Sequence, residues 1–218
     1  MNQVQSKLQQ AYKLNQDLDR MENYAPEWRE EWGIVDAKVI GELSNQENLD
    51  RAFYKPEPIN SIREIRMEGL MYHFEGIDYL YTRPDLPVMS KQMLSVLRSV
   101  RDFSHQVIPV SIEDTEVTSS SFPESSGKVS NDYVAVQLLE QLNIFDREKS
   151  IYEPNFINPD KVGRIEKLVL KVPEEGLPPI FRITDNRTYL YVSPEAKTAL
   201  EEAEITGIRF VRIDLSKP

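Results

Sequence analysis

No cysteine occurs anywhere in this chain of 218 residues. That excludes a disulfide framework, a thiol nucleophile and any thiolate-bound zinc site. Histidine is almost as scarce, with His73 and His105 the two present. Neither stands in an HExxH spacing or beside carboxylates at ligand spacing, so the ordinary reading is a packed or surface histidine. The eight glycines never cluster. Dinucleotide fingerprints, phosphate loops and the GxSxG nucleophile elbow are therefore absent. No apolar run is long enough for a membrane-spanning helix. The opening "MNQVQSKLQQ" is too polar for a signal peptide. These absences leave no catalytic residue, metal ligand or cofactor to assign, and they make the cytoplasm the expected location.

What is present is acid. Asp and Glu number 36 against 26 Lys and Arg, for a net charge of −10. Such a surface repels nucleic-acid phosphates and anionic lipid, so neither is an expected partner, and it attracts a basic protein. Hydrophobic residues at 40% and charged residues at 28% suit a globular chain with a substantial core.

Apolar residues at Val4, Leu8, Ala11, Tyr12, Leu18 and Met21 recur at helical spacing and predict an N-terminal amphipathic helix. Trp28 and Trp32 lie four apart and would share one face of a short helix. "YKPEPIN" reads as irregular because of its prolines, and "GLMYHFEGIDYLYTRPDLPVMS" as strands around turns. Ser90 is placed to cap a helix through "KQMLSVLRSVRDF", and "QVIPVSIE" is strand-like. The Ser-rich stretch from Asp114 to Asp132 has little to bury and reads as an exposed, mobile loop. Alternation resumes through "IEKLVLKV" and "PPIFRITDNRTYLYVS", with "TDNRT" as a hairpin connection. Ser193 and Pro194 open a last helix, Gly207 marks a turn, and "IRFVRI" closes as a strand.

The stretches around Ser90 and around Ser193 line up as strand, serine cap, helix, turn, strand. The expected fold is therefore α+β. It would have two related halves, each with amphipathic helices packed on a mainly antiparallel sheet, plus the N-terminal helix. Residues 1–32 form a helical extension on this reading, and 33–218 the main domain with its mobile loop at about 114–132.

Carboxylate pairs such as Glu174–Glu175 and Glu201–Glu202 have polar neighbours and read as solvated faces rather than acid–base catalysts. "DREKS" is either a surface turn with local ion pairs or a structural anchor in which Asp146 accepts backbone N–H groups. "ENYAPEWREEW" combines aromatic anchors with acids: Glu22, Tyr24, Glu27, Trp28, Glu30, Glu31 and Trp32. It is a candidate docking segment for a basic partner, against the alternative that both tryptophans pack inside. Asp114, Glu116 and Glu124 of the expected loop complete the candidate contact set.

The blocks "DYVAVQLLEQLNIFDREKS", "IEKLVLKV", "PPIFRIT" and "YVSPEAKTALEEAEITGIRFVRI", in this order, resemble a family of bacterial immunity proteins. It is the eleventh immunity family of polymorphic toxin systems, typified by a myxobacterial protein. The resemblance spans roughly Met89 to Asp214, and Glu204 departs from it, standing where glycine or a small residue is common. It implies a protein that is not an enzyme but neutralises a cognate toxin, delivered between cells by a contact-dependent or type VI route. Protection would come from stoichiometric binding that occludes the toxin's active site. The family supplies no catalytic or binding motif to carry over. Two rival readings remain. One is an enzyme that reverses the toxin's modification, with His73, Tyr72, Glu75 and Tyr79 as its cluster. The other is a regulatory or scaffold module for a different protein.

Overall fold

The computed structural model describes residues 10–17, 37–69, 74–80, 82–117 and 123–216. In chain order the elements are β1 (Gln10–Gln16), β2 (Ala37–Val39), a 3-10 turn (Gly41–Asn45), α1 (Leu49–Phe53), β3 (Ile65–Gly69), β4 (Thr82–Arg83), β5 (Val88–Ser90), α2 (Lys91–Val100), β6 (His105–Val117) and β7 (Pro123–Leu138). They continue as β8 (Gln141–Leu142), β9 (Ile151–Pro154), β10 (Val162–Lys167), β11 (Val169–Lys171), β12 (Ile180–Ile183), β13 (Asn186–Val192), α3 (Pro194–Glu202) and β14 (Ile208–Ser216). Among these residues there are two six-stranded mixed sheets, ordered β4-β2-β3-β6-β7-β5 and β11-β14-β1-β13-β12-β8, and a two-stranded sheet of β9 and β10. No helix among them is long and apolar enough to cross a membrane.

The architecture corrects the expected fold. Strands dominate, and the related halves with helices laid on each sheet are not there. The N-terminal helix is also overturned. Residues 10–16 form a strand inside the second sheet, pairing with β14 on one side and β13 on the other. The reason lies in burial on both faces. Ala11 packs into an outer cluster with Phe181 and Tyr191, while Tyr12 and Leu14 face the inter-sheet core. A strand covered on both sides buries residues at odd and even separations alike, which mimics helical spacing.

The loop expected at 114–132 is likewise mostly sheet. β6 and β7 pair antiparallel from His105↔Leu138 out to Val117↔Pro123. Ser-rich sequence can hold a ladder because backbone bonds carry it, and Val129 beyond the core is half exposed.

The echo between the two serine-capped stretches is local. Ser90 Oγ accepts from Met93 N at 3.0 Å and Ser193 Oγ from Ala196 N at 3.1 Å. β5 and β6 flank β7, and β13 and β14 flank β1, each antiparallel to the strand between them. Each unit is thus a strand–helix–strand crossover that skips one strand, but the rest of the two sheets does not correspond. α2 and α3 bury Met93, Leu94, Leu97, Ala196 and Leu200 against Leu14, Leu190 and Val192 of one sheet and Val134 and Val136 of the other. This shared cluster joins the sheets. Asp78 fastens the units together, since its carboxylate accepts from Ser90 Oγ at 2.5 Å and from Thr206 N at 2.9 Å.

α3 ends in a Schellman turn. Ile205 N donates to Leu200 O at 3.0 Å and Glu204 N to Glu201 O at 3.1 Å, with Ile205 and Leu200 both buried in the same cluster. The left-handed position of this motif, Glu204, has φ of 53°. Glu204→Gly should therefore stabilise the fold by about 0.5–1 kcal/mol, raising the melting temperature by roughly 2 °C in calorimetry. No change or a fall would mean that the glutamate makes a compensating contact.

Asp146 is the anchor that the sequence allowed. It is buried and accepts from Ser216 Oγ at 2.6 Å, Glu148 N at 3.1 Å and Lys149 N at 3.2 Å. The Ser216 hydroxyl first, then the backbone N–H groups and Lys149, hold its carboxyl below the ordinary value against a smaller opposing effect of burial. A depressed folded value means stability that is full above the ordinary carboxylate range and lost as pH falls through the folded value. Urea midpoints measured down the acid limb should show this loss, and Asp146→Asn should lower the neutral-pH midpoint while flattening that limb. An unchanged acid limb in the variant would remove Asp146 from the account.

Candidate functional site

Where the two sheets meet, a cavity of about 280 Å³ opens between β1, β12, β13 and the segment 79–87. Its wall includes Arg182, a charged residue inside an otherwise apolar strand of continuous burial, "IFRI". Arg182 is 2% exposed. Its Nη1 donates to Arg187 O at 2.6 Å and Thr188 O at 2.9 Å, across the tight turn to β13. Its buried Nε finds no partner among the described residues. The guanidinium lies 5.0 Å from the ring centre of Tyr54.

Tyr54 is held by its backbone. Gln141 Nε2 donates to Tyr54 O at 2.6 Å, and the wholly buried Gln137 donates to Ala52 O, Lys55 O and Glu57 O on either side. The prolines of this segment remove N–H donors, so glutamines from the sheet satisfy the exposed carbonyls instead. Opposite, Gln16 Nε2 donates to Leu80 O at 3.3 Å and to Asp85 Oδ1 at 3.4 Å.

Burial pushes the Tyr54 and Tyr79 phenols up, and Asp85 adds to the rise. Burial also raises the Asp85 carboxyl, against the Gln16 hydrogen bond and the Arg182 charge. Burial lowers Arg182 from its ordinary value, yet a guanidinium stays protonated. The cavity is thus a polar chamber with a fixed cation in its wall and the exposed Asp85 carboxyl at its rim.

A second feature is the hairpin of β9 and β10. Its tip carries Phe156 at 100% exposure and Ile157 at 90%. The tip is framed by hydrogen bonds. Asn155 Oδ1 accepts from Ile157 N and Asn158 N, each at 3.0 Å, and Asn155 N donates to Lys161 O at 2.9 Å. Arg147 Nη1 donates to Asp160 O at 3.3 Å and its Nη2 pairs with Asp185 at 2.8 Å, tying the tip to the turn between β12 and β13. Lower on the hairpin, the strands approach so closely that a Cβ on Gly163 would lie 2.7 Å from Pro154 O. The two apolar side chains therefore stand on a fixed frame.

No family model matches this sequence, and no curated protein matches it.

The acidic aromatic segment of Glu22, Tyr24, Glu27, Trp28, Glu30, Glu31 and Trp32 lies outside the described residues, as do Tyr72 and His73 of the enzymatic reading. Of that cluster, Glu75 is exposed and Tyr79 lines the cavity. Asp114 is buried in β6, so its side chain is not presented for docking. The backbones of Glu116 and Glu124 are paired in the β6–β7 register. His105 begins β6, stacks on Phe103 at 4.3 Å and has both ring nitrogens engaged, with Phe103 O and with Arg98. Among the described residues no group of three or more His, Asp or Glu is placed to hold a metal ion. Neither Arg182 nor the hairpin tip was singled out from sequence. Arg182 had a signal, a charge inside an apolar strand run. "NFIN" had a weaker one, apolar residues between two turn-forming asparagines.

Proposed function

We propose that this chain is an immunity-type protein that neutralises a protein toxin by stoichiometric binding. The observation that carries the reading is the hairpin tip, where Phe156 and Ile157 are fully offered to solvent on a hydrogen-bonded frame. A preordered apolar pair loses little conformational freedom on docking and fits the pattern of interface hot spots. The net charge of −10 supports a basic partner, because complementary charge speeds encounter. The ordered sequence blocks between Met89 and Asp214 support the immunity class. On this reading the sheets and buried helices are scaffold and the tip is the anchor.

The test is co-expression with the product of the adjacent gene, which on this reading is the toxin. Cells carrying both should grow, cells with the toxin alone should die, and raising salt should slow association of the purified pair. Death in the presence of the chain, made soluble and in excess over toxin, would defeat the reading.

A further inference from the structure

The cavity between the sheets has no role in hairpin-tip docking, yet the Arg182 guanidinium in its wall is only partly used by the fold. A guanidinium has five N–H donors. Nη1 of Arg182 uses its own on Arg187 O and Thr188 O. Nε has no partner, and Nη2 makes no hydrogen bond among the described residues. Nε is sealed from the cavity, so Nη2 is the end of the fork left to meet an anionic group there, in a charge-assisted hydrogen bond. A buried guanidinium left with open donors is costly, and one in a cavity wall points to a ligand that completes it. Tyr54 and Tyr79 bring phenol hydroxyls that likewise make no hydrogen bond among the described residues, while Leu14 and Leu190 line the apolar side.

We propose that this cavity is a binding site for the carboxylate group of a small organic acid or of a peptide C-terminus, gripped by Arg182. The volume, about 280 Å³, admits a group of amino-acid size. A carboxylate is favoured over a phosphate on two counts. Among the described residues of the wall there is no glycine nest, the usual cradle for phosphate. The Asp85 carboxylate at the rim opposes a dianion more than a monoanion, and so offsets the second guanidinium of the wall, Arg209. Asp85 also sets selectivity, since it penalises ligands with a second negative charge and tolerates an uncharged or cationic remainder.

Calorimetric titration of the full chain with N-acetyl-leucine, with acetyl-Ala-Ala-Leu, and with the carboxamides of both tests the site. Either acid should bind at least about tenfold tighter than its amide, a ratio set by the loss of a charge-assisted pair. Tighter binding of the single residue identifies a small acid as the natural source, and tighter binding of the tripeptide a peptide C-terminus. Arg182→Lys keeps the charge but loses the fork, and should weaken acid binding at least about tenfold. Should that variant not fold, Asp85→Asn, at an exposed position, decides. It should tighten the acids several-fold, about three- to tenfold, and leave the amides unchanged. Acids that bind no better than amides, acids that fail to bind, inorganic phosphate that binds tighter than either acid, or an Asp85→Asn protein with unaltered acid affinity would each overturn the assignment.

Discussion

Gly207→Ala should be strongly destabilising. The residue has φ of +78°, and a Cβ there would sit 2.5 Å from Ile77 Cγ2 and 2.6 Å from Tyr79 O. The left-handed backbone alone costs about 1–2 kcal/mol in a residue with a Cβ. Overpacking adds about 1–3 kcal/mol, at the high end here because a carbonyl oxygen cannot rotate away. A total near 4 kcal/mol lowers the melting temperature of a chain this size by roughly 10 °C, with poor soluble yield. The clash falls where the Asp78–Thr206 bonds bind the two strand–helix–strand units, so both sheets lose their common fastening. Gly76→Ala is the matched control, with similar φ but nothing within 4 Å of its Cβ, and should cost only about 1–2 kcal/mol. Equal midpoints for the two variants would show that the contact at Gly207 is not structural.

Phe156→Ala with Ile157→Ala should leave the fold unchanged and remove the partner. Both side chains are exposed, so the double variant should unfold within about 0.5 kcal/mol of the parent. Each is offered as a hot spot worth about 2 kcal/mol or more, and allowing for non-additivity the dissociation constant should rise at least about a hundredfold, mostly through faster dissociation. Protection of cells against the toxin should fall in step. Asn155→Ala is expected to weaken binding by a smaller factor, because it loosens the frame and leaves the anchors. Full affinity in the double variant would move the interface elsewhere on the surface.

Local chemistry was well written in the sequence. Ser90 and Ser193 cap their helices, the turn before β13 closes at Thr184–Asp185, and Asp146 anchors its loop, because each depends on residues a few positions apart. The departure at Glu204 was visible too, and the structure gives it meaning as a left-handed helix end. Long-range facts were not legible. β1 read as a helix because Ala11 and Leu14 are buried on opposite faces by partners in β12, β13 and α3, which no local window contains. The outer arms of β6 and β7 read as loop because their ladder is fixed by pairing rather than by apolar side chains. Arg182 carried a signal but no meaning until Tyr54 and Asp85, far off in sequence, were brought around it.

The most direct test of the proposed function is the mass of the species that co-purifies when the product of the adjacent gene, the toxin on this proposal, carries the only tag. Size exclusion with light scattering should give one peak, containing toxin and this chain in fixed proportion and surviving dilution to nanomolar concentration. Living cells from which the toxin elutes alone would contradict stoichiometric capture and point to protection by chemistry instead.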